Sequence, residues 1–320
     1  MNAKTGLAPY VRILGRGPGR SRSLTLEEAQ EAMTLILNGD AAPESIGALL
    51  MLLRMKGEQP EELAGFARAA RATLPPIPIQ PALDWPTYAA GRTRGLPWFL
   101  LSAKLVARAG YPVLLHGWNS HQNPAASVRN ALSVIGVVKA ASVAEAGENL
   151  RLSNIAYLPL ETLSPALFDL LRLRDVLGLR SCVNTLLRVL NPFAADAAVQ
   201  GVFHPPYRGL QQDVGRILGQ KNLTVLKGGG GEFERHPSKE IALFGLRDGV
   251  AFDTSAPAQI DQVQRLAEAP SDPSALAALW GGTLQDDFAE AIVLGTATSA
   301  LKTLGVADAR ARIQALWDAR

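Results

Sequence analysis

The chain has 320 residues, of which 48% are hydrophobic and 19% are charged. This composition is typical of a globular protein and excludes a disordered or low-complexity chain, and the length is sufficient for two packed units. The formal net charge is only +3, so the local distribution of charge matters more than the total.

The single cysteine, Cys182, excludes a disulfide framework and a cysteine-based metal cluster within one chain. We expect it to be a small buried apolar residue rather than a nucleophile. No apolar run reaches the roughly 20 residues that span a bilayer, and polar and charged residues stand where a secretory signal would be apolar. The sequence therefore predicts a cytoplasmic protein that does not enter a membrane.

Basic residues are concentrated near the N-terminus, before the first acidic residue, Glu27. They are Lys4, Arg12, Arg16, Arg20 and Arg22. Glycine and proline interrupt residues 15–23, which excludes a regular helix there and predicts a loop able to follow an irregular anion. A solvated basic loop without a ligand is an equally good interpretation of this segment taken alone.

A small helical unit is predicted over residues 1–76. Thr25 and Glu28 have the spacing of a capping box, and Gly39 can end the helix that follows. Two further helices, each opened by a proline, are predicted at 44–56 and 61–74. Short helices joined by tight turns make a compact all-α domain.

A proline-rich linker is predicted at residues 77–86, because five prolines between 75 and 86 disfavour a helix. The remaining residues, 87–320, alternate strand-like and helical runs, which predicts a mostly parallel sheet covered by helices. The predicted strands are 87–90, 113–115, 155–158, 223–226 and 241–243. The predicted helices are 98–109, 125–135, 165–177 and 206–218, followed by a helical C-terminal stretch, 272–320.

Several stretches of this sequence resemble a known family. They include Leu24-Thr-Leu-Glu-Glu-Ala29, Leu49-Leu-Met-Leu-Leu-Arg-Met-Lys-Gly-Glu58, Glu61-Glu-Leu-Ala-Gly65, Leu173-Arg-Asp-Val-Leu-Gly-Leu-Arg180 and Asn191-Pro192. They resemble glycosyltransferase family 3, which includes anthranilate phosphoribosyltransferase and nucleoside phosphorylases. The resemblance implies an N-terminal helical domain, completed by helices within about 165–192, hinged to a larger α/β domain with a mostly parallel central sheet. The active cleft would lie between the two domains.

The phosphate-binding motifs of that family are substituted here. The family's G-T-G-G-D-G loop corresponds to Gly91-Arg92-Thr93-Arg94-Gly95, and its K-H-G-N motif falls on residues 115–118 with an asparagine displaced by one. The resemblance therefore implies a vestigial phosphoribosyl site formed by Gly91, Arg92, Thr93, Gly95, His116, Gly117 and Asn119.

The family's magnesium-binding Asp-Glu pair falls near residues 228–234, where Glu232 and Glu234 are no longer adjacent. They are the candidate ligands if magnesium binds. His121, His204 and His236 lack metal-ligand spacing, so no zinc site is predicted. We expect no cofactor, and the sequence assigns no catalytic residue.

Residues 11–17, Val-Arg-Ile-Leu-Gly-Arg-Gly, are similar to the start of a divergent, YbiB-like branch of the anthranilate phosphoribosyltransferase-like family. That similarity implies homodimers that bind nucleic acid without sequence preference. Arginines in place of a magnesium–pyrophosphate site also favour direct contacts to a polyanion. We therefore expect DNA or RNA to be bound by Lys4, Arg12, Arg16, Arg20, Arg22, Arg92, Arg94, Arg129 and Arg174.

The alternative function is a phosphoribosyltransferase that uses phosphoribosyl pyrophosphate and magnesium, with a site rebuilt from Asn119, Glu232 and Glu234. By resemblance, Arg174 would bind the carboxylate of anthranilate. Trp98 and Trp118 either stack on bases or pack in the core.

Two further features each have two interpretations. His116 is either an acid–base group or a hydrogen-bonded structural residue. The four glycines at 228–231, beside Lys227, form either an anion nest or a turn.

Overall fold

The computed structural model describes residues 6–17, 19–89, 95–118, 127–261, 264 and 272–320. Among these residues, no helix combines the length and the apolar character needed to cross a bilayer.

The N-terminal part of the chain is a bundle of helices. They are α1 (Ala8–Gly15), α2 (Leu26–Leu37), α3 (Pro43–Lys56) and α4 (Pro60–Ala72). The predicted capping box is confirmed: Glu28 N donates to Thr25 Oγ1 at 3.2 Å, and Thr25 N donates to Glu28 Oε2 at 2.9 Å. The helix α1 was not predicted.

A buried carboxylate joins the helices of this bundle. Glu62 has no exposed surface and accepts hydrogen bonds from the backbone N–H groups of Leu24, at 2.9 Å, and Gln59, at 2.8 Å. The ammonium group of Lys56 lies 3.2 Å from the same carboxylate. A buried charge that is paired and hydrogen-bonded in this way is tolerated and fixes the entry to α2 and α4.

The second part of the chain is a seven-stranded sheet, in the order β3-β2-β1-β4-β5-β6-β7 within the described residues. Its strands are β1 (Leu83–Thr87), β2 (Val113–Gly117), β3 (Ile155–Pro159), β4 (Ala197–Val202), β5 (Asn222–Lys227), β6 (Ile241–Arg247) and β7 (Val250–Ala256). β1 to β5 are parallel to their neighbours, and β6 and β7 are antiparallel. The predicted fold class, a helical domain followed by a mostly parallel α/β domain, is confirmed.

The start of β1 differs from the prediction. The strand begins at Leu83, inside the segment predicted as a linker, rather than at Thr87. Proline is tolerated within it because β4 pairs with β1 only at Leu83 and Asp84, so the ladder on that side ends before Pro86. The strands β4 and β7 were not predicted.

Helices cover both faces of the sheet. They are α5 (Phe99–Arg108), α6 (Val128–Leu132), α7 (Val143–Ser153), α8 (Leu160–Leu163), α9 (Pro165–Leu177), α10 (Val183–Val189), α11 (Tyr207–Ile217), α12 (Ser274–Trp280), α13 (Asp287–Thr303) and α14 (Ala309–Asp318). One core packs α5, α13 and α14 on the sheet. The core on the opposite face contains residues of α1 to α4 together with residues of α9 and α10. The helical bundle therefore packs directly against the sheet.

Candidate anion-binding site

The carboxyl ends of the parallel strands lie at one edge of the sheet, where α/β proteins bind their ligands. Several predicted site residues belong to this edge but lie outside the described residues. They are Gly91, Arg92, Thr93, Arg94 and Asn119, and the N-terminal Lys4 also lies outside them. Gly95, which follows them, is buried and has a φ of +76°.

His116 lies in β2 and is fully buried. Its Nδ1 atom is 2.8 Å from the hydroxyl group of Tyr88, and its Nε2 atom is 3.1 Å from Oδ1 of the buried Asp84. Burial raises the pKa of Tyr88 well above its ordinary value, so this hydroxyl keeps its proton. These contacts favour the structural interpretation of His116.

Gly117 allows two strands to approach closely at this edge. A Cβ atom at this position would lie 2.0 Å from Thr87 Oγ1, so no other residue fits without moving the backbone. The predicted phosphate motif residues His116 and Gly117 thus contribute to the packing of β1 against β2.

Glu232 and Glu234 follow β5 and are both fully buried. Glu232 Oε1 accepts a hydrogen bond from the backbone N–H of Ala89 at 3.2 Å, and Glu234 Oε2 accepts one from that of Phe99 at 3.1 Å. Ala89 and Phe99 flank the segment between β1 and α5. Both carboxylates therefore anchor the backbone of this connection.

Arg188, in α10, contacts the same region from the side of the helical bundle. Its Nη2 atom donates to the carbonyl oxygen of Tyr88 at 3.1 Å. Burial lowers the pKa of Arg188, and the nearby Glu232 carboxylate opposes that effect. Arg188 links α10 to the end of β1.

Three arginines converge where α3 meets the end of α9. Arg54 Nη1 donates to the backbone oxygen of Arg180 at 2.6 Å. Burial, followed by the positive charges of Arg174 and Arg54, lowers the pKa of Arg180. Nη1 of Arg174 is buried and has no hydrogen-bond acceptor in the described part of the chain. A buried donor without a partner is costly, and an anion at this position would satisfy it.

The predicted basic residues of the N-terminal segment divide into two groups. Arg22 is neutralised, because it forms two hydrogen bonds to Glu28, at 2.6 and 2.7 Å. Its guanidinium lowers the pKa of Glu28 to about 2. By contrast, no ion pair connects Arg12, Arg16 or Arg20 to any other described residue, and all three are exposed.

Arg129 forms an ion pair with Glu161, and both side chains are half-buried. Burial opposes the charge of Arg129, but the hydrogen bond to Glu161 outweighs it and raises the pKa of Arg129. The positive charge of Arg129 is therefore compensated within the protein.

The two tryptophans differ in exposure. Trp98 is only 1% exposed and belongs to the core beneath α5, so the core-packing interpretation holds for it. Trp118 is half-buried and packs edge-on against Phe168, with ring centroids 5.3 Å apart.

Arg54, Arg180 and Arg188 were not predicted as site residues. Arg54 and Arg180 lie in stretches that carry the family resemblance, but no local pattern distinguishes them from solvated arginines. Their convergence depends on the packing of α3 against α9.

Comparisons with known proteins agree with this fold. A model of the glycosyl transferase family, helical bundle domain, matches residues 8–74. An anthranilate phosphoribosyltransferase of Thermus thermophilus is 31% identical over 201 residues, which cover 62% of this chain and 61% of that protein. The enzyme of the same name from Halobacterium salinarum is 31% identical over 309 residues, which cover 95% of this chain and 87% of that protein. The chain belongs to the anthranilate phosphoribosyltransferase-like family, glycosyltransferase family 3.

Solved structures of family members have the same fold. The crystal structure of anthranilate phosphoribosyltransferase from Thermus thermophilus has a TM-score of 0.79 at 23% identity and covers 98% of this chain and 94% of that one. The Saccharomyces cerevisiae enzyme in complex with phosphoribosyl pyrophosphate (PRPP) and magnesium has a TM-score of 0.75 at 16% identity, with 98% and 92% covered. At these identities the likeness concerns the fold alone.

The carboxylates of this family member do not fit a magnesium ion. Hard cations need several oxygen ligands with room for water. Glu232 and Glu234 are fully buried and hydrogen-bonded to the backbone. No group of three or more metal-binding side chains occurs among the residues that the structure describes.

Proposed function

We propose that this protein binds DNA or RNA without sequence preference, as a member of the YbiB-like branch of its family. The observation that carries the proposal is the convergence of Arg54, Arg174 and Arg180. Their like charges lower the pKa of Arg180, and Arg174 retains a buried donor without an acceptor in the described residues. Guanidinium groups arranged in this way bind phosphate through charge-assisted hydrogen bonds.

The shape of the basic surface supports a linear ligand. A Cβ atom on Gly15 would lie 3.3 Å from Leu52, so the end of α1 packs on α3 two residues before Arg54. Arg16, the next residue of the chain, thus lies near Arg54, and Arg54 in turn contacts Arg180. We name Arg16, Arg54, Arg174 and Arg180 the arginine track. A track that connects separate elements matches the repeating charge of a phosphodiester backbone better than a single small anion.

The second candidate function is a phosphoribosyltransferase. It is favoured by the family and by Arg174, whose counterpart in the family contacts a carboxylate. The engagement of Glu232 and Glu234 with the backbone argues against it. The two functions differ in their ligands, so a competition experiment separates them.

The test is fluorescence anisotropy of a labelled single-stranded oligonucleotide, titrated with the protein at low and moderate salt, with PRPP and magnesium as competitor. We expect binding whose affinity falls steeply with salt, by about 0.7 logarithmic units per logarithmic unit of salt for each phosphate contacted on a single strand. The competitor should have little effect. Absence of binding, or displacement at low PRPP concentration, would contradict the proposal.

We also propose that the protein is a homodimer. Met55, on α3, and Val176, on α9, are 83% and 82% exposed, and Leu179 beside them is 46% exposed. Apolar side chains grouped in this way favour association. Sedimentation velocity of the wild type and of Val176→Asp tests this, and a monomeric wild type would contradict it.

A further inference from the structure

Phe203 follows β4 at the carboxyl edge of the sheet and is 46% exposed. Among the large hydrophobic side chains that are exposed in the described residues, it is the only aromatic one. Its ring lies edge-on to His204, with centroids 4.8 Å apart. An exposed ring at the ligand-binding edge of the sheet is not explained by core packing.

The neighbouring glycine turn keeps the base of this ring uncovered. Gly231 has a φ of +95°, and a Cβ atom there would lie 3.5 Å from Phe203 Cβ and 3.2 Å from Arg188 Nη2. A side chain at this position would pack against Phe203. The glycine instead leaves Phe203 and Arg188 beside each other.

Positive charge surrounds Phe203. Val202, the residue before it, is paired in register with Lys227, and Lys227 is exposed at the end of β5. On the other side, Arg188 is close enough to Arg180 for their charges to interact unfavourably. Arg188 therefore connects Phe203 to the arginine track.

We infer that Phe203 is a stacking platform for an unpaired base at the end of the arginine track, so that the protein prefers single-stranded to double-stranded nucleic acid. This inference rests on the proposed nucleic-acid binding. A base in a duplex is already stacked between its neighbours, whereas a single strand can place one base on an exposed ring while its phosphates contact arginine. The recognised chemistry is the face of a nucleobase, which single-stranded DNA and RNA share.

The experiment compares wild type, Phe203→Leu and Phe203→Trp with labelled single-stranded DNA, single-stranded RNA and a blunt DNA duplex. Leucine keeps an apolar side chain but removes the aromatic face. We expect Phe203→Leu to weaken binding of both single strands roughly fivefold to a hundredfold, to change duplex binding little and to leave the salt dependence unchanged. Phe203→Trp should restore single-strand binding. Replacing one base at a time by an abasic site should reproduce the effect of leucine.

Leu152→Ala is the matched control, because Leu152 is 68% exposed on α7 and belongs to neither basic surface. If wild type binds single strands with the expected salt dependence and Phe203→Leu binds equally well, the stacking role is wrong and the proposed function stands. Equal loss for single strand and duplex would also contradict stacking. If wild type binds no oligonucleotide, both proposals fail. A changed sedimentation coefficient of Phe203→Leu with unchanged binding would assign Phe203 to a contact between copies.

Discussion

Two charged regions of this protein have opposite relations to their surroundings. The carboxylates of Glu232 and Glu234 are fully buried and accept hydrogen bonds from the backbone next to β1 and α5. The arginine track lies at the surface of the helical bundle, where guanidinium groups repel one another and one buried N–H lacks an acceptor within the described residues. Charges that are satisfied internally stabilise a fold, whereas charges that are not satisfied require a ligand.

The comparison explains how this family fold can bind an anion without magnesium. At the edge of the sheet, acids that the family resemblance associates with a metal hold a connection in place instead. Along the track, guanidinium groups provide the positive charge directly. Fold alone does not decide between a transferase and a binding protein, so the two regions must be tested separately.

The largest expected effect is on stability, in Glu232→Ala. The substitution removes the acceptor of the Ala89 N–H and the negative charge near Arg188. Leaving buried polar groups unsatisfied should lower the free energy of unfolding by about 2–3 kcal/mol. Urea denaturation measures this change, and oligonucleotide binding of the folded variant should be retained.

Glu240→Ala is the control for that prediction, because Glu240 is an exposed acid near the same strand. Its unfolding free energy should change by no more than about 0.5 kcal/mol. If Glu232→Ala were as stable as wild type but lost magnesium-dependent binding of PRPP, the carboxylate would be a ligand and the comparison would be wrong.

The next effect is on binding, in Arg174→Ala. Removing this guanidinium should weaken binding of all sequences uniformly and reduce the salt slope by about one unit. Stability should not fall, because the substitution also removes a charge that repels Arg180. The control is Arg151→Ala, whose guanidinium is paired with Glu148 on α7. A loss of stability without a change of salt slope would show that Arg174 is structural.

A smaller effect separates two arginines of the N-terminal segment. Arg16 is exposed and unpaired in the described residues, whereas Arg22 is held by two hydrogen bonds to Glu28. We therefore expect Arg16→Ala to reduce the salt slope for a single strand by roughly 0.7 units, and Arg22→Ala to reduce it less. Anisotropy titrations at several salt concentrations measure both slopes, and equal slopes for the two variants would contradict the assignment of Arg22 to the fold.

Much of the fold could be predicted from the sequence because its signals are local. Thr25 and Glu28 identified the start of α2, and the alternation of apolar runs identified the parallel sheet. The start of β1 could not be predicted, since Pro86 normally excludes a strand and is tolerated only because the β4 ladder ends earlier.

The site was less predictable because it depends on contacts between distant residues. Arg54 and Arg180 are 126 positions apart, and no spacing rule connects them. Trp98 shows the opposite error, since its position next to the glycine-rich motif favoured a role in binding that its burial excludes. Arg129 was assigned to a groove from its charge alone, and its pairing with Glu161 was not visible in the sequence.

The smallest expected effect is the pH dependence of the Arg22–Glu28 pair, tested with Glu28→Gln. Glutamine can keep the capping box, so the substitution isolates the charge. Because the pKa of Glu28 falls from about 4.5 to about 2 on folding, its contribution is present above pH 4.5 and is lost as the pH falls to 2. Partial exposure limits this contribution to less than about 1 kcal/mol. Urea denaturation should therefore show wild type slightly more stable than Glu28→Gln at pH 6 and equal to it near pH 2. A difference that persists at pH 2 would mean that geometry rather than charge distinguishes Arg22 from the arginine track.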